Sequence, residues 1–112
     1  MVAAWTTSPV TDLPHLTLIR WRILETERGE RHFVGHCLEH EKGRVSSAID
    51  RFDAEAGRGL TRSGRVYQLS GSASHDPDAN YVWAVWARLN QVPWFRDVTG
   101  DIEALLKPAR LH

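Results

Sequence analysis

Three histidines stand four residues apart, at His32, His36 and His40, with Cys37 and Glu39 between them. Imidazole and thiolate are the side chains that ligate zinc. On a helix this spacing stacks three rings along one face. On a strand the rings also share a face, but His32 and His36 then stand roughly 13 Å apart, at about 3.3 Å per residue. One ion would need help from a neighbouring strand. The same residues also suit a solvated histidine edge with Cys37 packed as a small apolar side chain. A nucleophilic Cys37 would need an electropositive, partly exposed setting. Its neighbour His36 does not supply one, because adjacent strand residues point to opposite faces.

A second group is cationic and aromatic. Arg58, Arg62 and Arg65 run without an intervening acid, and Tyr67 follows. Guanidinium and phenol rings bind phosphate or stack on single-stranded bases. On a regular strand Arg62 and Arg65 face opposite ways, which thins the patch. Asp50, Asp53 and Glu55 could pair as acid and base, although carboxylates at a turn also serve the backbone. A third group comprises Trp5, Trp94 and Phe95, aromatics outside the regular elements and so suited to a contact surface. Gly71–His75 lacks the order of a nucleophile elbow. No phosphate-cradling or dinucleotide glycine pattern occurs.

The elements that must position these residues alternate like strands. Over Leu16–Glu25, Thr17, Ile19, Trp21 and Ile23 share one face; Leu16, Leu18, Arg20, Arg22 and Leu24 share the other. A glycine turn at 27–30 leads to a second strand over Arg31–Glu39, which a helical stripe through Phe33, Val34, Cys37 and Leu38 also fits. Val45–Phe52 and Leu60–Leu69 read as two strands around a Gly-containing turn, with Gly64 as a bulge. Asp76, Pro77 and Asp78 are N-cap, first-turn proline and dipole partner for a helix that ends near Asn90 before Pro93. Ala79, Val82, Trp83, Trp86 and Leu89 or Asn90 form its broad apolar face, which should bury its tryptophans on the sheet. A short strand near Trp94–Thr99 and a helix over Asp101–Lys107, ended by Pro108, complete the order.

The expected fold is α+β: a curled antiparallel β-meander of four or five strands, one main helix packed on it, and a short C-terminal helix. The expected organisation is a lead-in over 1–15, a single domain over 16–107, and a frayed end over 108–112.

Composition narrows the function classes. The 112 residues hold 14 basic and 14 acidic side chains, and that balance speaks against a general polyanion binder. A single cysteine precludes an internal disulfide and suits a reducing compartment. No apolar run has the length of a membrane span, and the N-terminus lacks a signal-peptide pattern. A cytoplasmic location is the resulting expectation.

Gly43-Arg44-Val45-Ser46-Ser47, Phe52-Asp53, the run Thr61-Arg62-Ser63-Gly64-Arg65-Val66-Tyr67 and Tyr81-Val82-Trp83 resemble a group of small uncharacterised proteobacterial proteins. The resemblance spans about residues 16–99. That group has no assigned activity, so no catalytic or binding residue comes from it. The reading from the residues is a non-enzymatic binding module, without a cofactor, for a protein partner or a second copy of itself. The alternatives are a single-stranded nucleic-acid module using the Arg/Tyr strand, and a metal-binding protein using the His/Cys cluster.

Overall fold

A computed structural model describes residues 14–110. The first strand, β1 (His15–Thr26), does not hold one alternating phase. Leu16 and Leu18 are buried in the same cluster as Trp21 and Ile23. The phase flips at Arg20, whose φ is +45°. The pairing register with the next strand shifts over the same stretch, between Ile19 and Arg22. This is a bulge, which adds a residue to one strand and re-aims those after it. It overturns the two-face assignment made from simple alternation. The extra residue also frees the Arg20 side chain, whose Nε donates to Asp76 Oδ1 at 2.9 Å.

The turn through Gly29 (φ +80°) returns the chain as β2 (Arg31–Cys37), antiparallel to β1. Gly35 lies beneath the bulge; a Cβ there would sit 3.0 Å from both Ile19 O and Trp21 Cα. The remaining strands are β3 (Lys42–Val45), β4 (Ile49–Asp53), β5 (Arg58–Thr61) and β6 (Val66–Leu69). Together with β7 (Phe95–Asp97), which pairs with β1, they make a seven-stranded sheet of order β3-β2-β1-β6-β5-β4. The β1–β6 pair is parallel and the other pairs are antiparallel. The α+β class therefore holds, but the sheet has more strands than four or five and is not a pure meander.

Two breaks explain most of the extra strands. The Val45–Phe52 segment bends at Ser46, Ser47 and Ala48. On one side of the bend, Ser46 N–H donates to Phe33 O of β2 at 2.9 Å; on the other, Ala48 O accepts from Arg62 N–H beyond β5 at 2.8 Å. One stretch of chain thus leaves one end of the sheet order and enters the other, and the sheet must be rolled for that to happen. Leu60–Leu69 is also two strands. Gly64, with φ +91°, sits in the turn between them, where its N–H donates to Thr61 O at 2.8 Å. It is not a bulge within a strand.

Helix α1 (Pro77–Leu89) matches the sequence reading at both ends. Asp76 is the N-cap, its Oδ2 accepting from Ala79 N–H at 2.9 Å, and Asn90 is the C-cap. The second helix, α2 (Thr99–Arg110), begins earlier than expected and continues through Pro108. Thr99 Oγ1 accepts from Ile23 N–H at 2.9 Å and Asp97 Oδ1 accepts from Thr99 N–H at 2.8 Å, which fixes the start. An interior proline removes one N–H donor and crowds the carbonyl four residues before it, yet the helix continues two residues past Pro108. Of the expected lead-in, residues 1–13 with Trp5 lie outside the described residues, as do 111–112; His15 already pairs with Val66.

Inside the rolled sheet, Leu16, Leu18, Trp21, Phe33 and Tyr67 pack together, and Val98 and Ile102 join them from the α2 side. On the outer face, Leu24 and Val34 meet Ala79, Trp83 and Ala87 of α1. The second face of the sheet is covered by a helix, as its apolar character required. Among the described residues no helix is long and apolar enough to cross a membrane.

Candidate functional site

Alternation along β2 separates His32 from Cys37. His32 and Val34 face α1, whereas Phe33 and Cys37 face the interior. His32 is 2% exposed and packs on the Trp83 and Trp86 rings, at centroid distances of 6.1 and 4.6 Å. His36 Nε2 lies 3.7 Å from Glu41 Oε1. His40, on the following turn, places Nδ1 3.7 Å from Cys37 Sγ. Among the described residues no three His, Cys, Asp or Glu side chains gather as a metal-binding group. Cys37 is fully buried, and burial pushes its thiol above the usual range. That is the opposite of what an activated thiolate needs.

His32 is a histidine whose proton affinity burial has altered. Its Nδ1 lies 2.9 Å from Ser46 O, so Nδ1 carries the proton and Nε2 the lone pair. Nε2 has no hydrogen-bond partner among the described residues, and a charged ring would aim a second donor at none of them. Burial lowers the pKa below its ordinary 6.5. Below pH of about 6.5 the unfolded chain takes up a proton that the folded chain refuses. Stability should therefore be complete above that pH, fall as pH drops through the depressed folded pKa, and level off beneath it. Glu30, Arg28 and Arg62 act on the same ring, the first favouring its charge and the arginines opposing it. Urea midpoints at pH 8 and 5.5 check this: the wild-type drop should shrink in His32→Phe, with a remainder from His40, which burial shifts the same way. An undiminished drop in the variant would contradict it.

The arginine group is also dispersed. Tyr67 is 1% exposed, and its hydroxyl accepts from Arg44 Nε at 2.7 Å. Its ring is part of the interior and offers no base a stacking face. Arg65 is buried. Arg58 Nε donates to Gln68 Oε1 at 3.2 Å, and Arg62 donates to Glu30 Oε2 at 2.7 Å across the mouth of a cleft. Asp53 does turn work, accepting from Ala56 N–H at 3.1 Å.

Two surface features do come together. The first is apolar. Tyr81 and Leu89 are 69% and 72% exposed, and Trp94 and Phe95 are 57% and 45% exposed. Phe95 belongs to β7 and meets the Trp83 ring edge-on at 5.1 Å. Tyr81, Val82, Val85, Trp86 and Leu89 wall a cleft of about 180 Å³ with Val45 of β3. The burial of α1 runs along Ala79, Trp83 and Ala87, a stripe one residue wide. A rolled sheet offers a helix a narrow ridge, so the rest of the apolar arc stays outside. The sequence placed Leu89 and Val82 in the buried face; their true position depends on sheet curvature, which no local signal encodes.

The second feature is a cleft of about 300 Å³ between the β1–β2 turn and β4. Ile23, Ile49, Phe52 and Ile102 line its interior, and Glu30, Asp50 and Arg62 stand at its rim. The Arg62 guanidinium holds the Glu30 carboxyl below its ordinary range. Comparison with protein-family models, with curated proteins and with solved structures finds no match.

Proposed function

We propose that the chain is a small non-enzymatic binding module that docks a protein on the outer face of α1. One observation carries this reading. Tyr81, Val85 and Leu89 repeat at helical i, i+4 spacing outside the buried stripe of α1 and wall an apolar cleft with Val45 of β3. Leaving a tyrosine and a leucine of one helix face more than two-thirds exposed forgoes burial that would contribute about 1.5–3 kcal/mol for the leucine. Contiguous exposed apolar surface of this kind marks an interaction site. An amphipathic helix or a second copy of α1 has the complementary shape. Trp94 and Phe95 add further exposed aromatic surface, the residue class that anchors interfaces. The nucleic-acid alternative has no comparable support, because its aromatic residue is interior.

The double substitution Tyr81→Glu/Leu89→Glu tests the reading. Both side chains are exposed, so thermal stability should change by no more than about 1 kcal/mol. Association should weaken by at least about tenfold, as when anchors are removed from an interface. In a native extract, tagged wild type should elute well above its 12.7 kDa chain mass and the variant as the free chain. Wild type eluting alone, or both eluting together, would refute the proposal.

A further inference from the structure

The rolled sheet has a seam. β2 pairs with β1 and β3, and β4 pairs with β5, but β2 and β4 do not pair with each other. The 300 Å³ cleft lies along this seam, with Glu30 and Arg31 on one side and Ala48, Ile49, Asp50 and Phe52 on the other. It is separate from the apolar face of α1 and shares no lining residue with it. Its size falls at the small end of ligand sites, and its build is that of one: an apolar body with a few polar groups at the mouth.

The rim charges decide what it would take. Arg31 is committed to Glu25, Nε to Oε2 at 3.0 Å. Arg62 is committed to Glu30 at 2.7 Å. Asp50 also favours the charge on Arg62, but its carboxylate accepts no hydrogen bond from any described residue. The rim charge without a hydrogen-bonded partner among the described residues is therefore the Asp50 carboxylate, above a floor of Ile23, Ile49 and Phe52. Asp50 and Glu30 share the single guanidinium of Arg62, which is hydrogen-bonded to Glu30, so an incoming cation meets attraction and an incoming carboxylate meets Asp50. We propose that this cleft binds a small molecule with an apolar body and a cationic head. The body lies on Ile23, Ile49 and Phe52, and the head is held by Asp50 with Glu30.

Methyl-labelled full-length protein titrated with phenethylammonium, and separately with 3-phenylpropanoate, tests this. The two probes share a ring and chain and differ in the sign of the head. Saturable shifts of the Ile23, Ile49 and Ile102 methyl signals are expected with phenethylammonium. The carboxylate probe should bind at least about tenfold more weakly, and Asp50→Asn should cost phenethylammonium a similar factor, the scale of a charge-assisted contact. Asp50 is exposed, so the variant keeps its fold. No saturable shift, equal response to both probes, or an Asp50→Asn variant that binds as wild type would each overturn the assignment.

Discussion

Replacing Gly43 with alanine is expected to undock α1 and cost about 3 kcal/mol or more, the upper range for overpacking. Gly43 sits in β3 directly beneath the start of the helix. A Cβ there would lie 2.5 Å from Ala79 N and 2.6 Å from Asp78 C. Both are helix backbone atoms, so no rotamer change relieves the clash. The same contact carries a hydrogen bond, Gly43 N–H to Asp78 Oδ2 at 2.5 Å, that would be lost as the helix lifts. Asp76 would also retreat from Arg20, breaking the tie between the helix cap and the β1 bulge. Gly100→Ala is the control: nothing lies within 4 Å of its Cβ position, and a helical glycine-to-alanine change should gain up to about 1 kcal/mol. Urea midpoints of the two variants should move in opposite directions. A Gly43→Ala variant as stable as wild type would mean that the helix does not approach β3 this closely.

Trp21→Ala should have an effect of similar size. Trp21 is 1% exposed within the interior cluster. Deleting a buried tryptophan costs about 3–5 kcal/mol, a large part of the roughly 5–15 kcal/mol that holds a domain. The indole does more than fill space. Its Nε1–H donates to Gly71 O at 3.0 Å, and Trp21 O accepts from Ser74 N–H at 3.2 Å. These bonds anchor the loop that delivers the chain to Asp76. Trp21→Phe keeps most of the ring and loses one hydrogen bond, so it should cost about 1–3 kcal/mol. Denaturant unfolding of the pair separates packing from anchoring. Equal losses in the two variants would show that the hydrogen bond, and not ring volume, carries the effect.

How much of this was legible in the sequence follows from the range of each signal. The α1 helix was read residue by residue because Asp76, Pro77 and Asn90 act within one turn of their own positions. The β1 bulge was not readable. Arg20 carries the positive φ, and nothing in Ile19-Arg20-Trp21 marks it as a turn former; the signal lies across the sheet, in Gly35. The bend at Ser46–Ala48 was missed for a related reason. Ser46 is held by Phe33, whose N–H donates to Ser46 Oγ at 2.9 Å, a contact thirteen residues away. Parallel pairing of β1 with β6 is set by the whole roll and has no local trace.

The same distinction governs the site. Trp94 and Phe95 were singled out as surface aromatics, and both are exposed. Tyr67 was grouped with Arg58, Arg62 and Arg65 by proximity in the chain, yet alternation along β6 turns it inward to Phe33, at a centroid distance of 5.6 Å. Leu89 falls outside the candidate surface in the sequence reading because an apolar helix face is normally a buried one; Tyr81 is assigned there to neither face. How much of that face a sheet can cover depends on its curvature, and curvature came from the missed bulge and bend.

Docking on α1 is most directly tested by site-specific photo-cross-linking in the native host, with a benzophenone amino acid at Leu89 and, as control, at Ser63 in the exposed β5–β6 turn. The account predicts a discrete cross-linked protein from Leu89 that is lost when Tyr81→Glu is added and does not form from Ser63. No product from Leu89, or the same products from both positions, would contradict it.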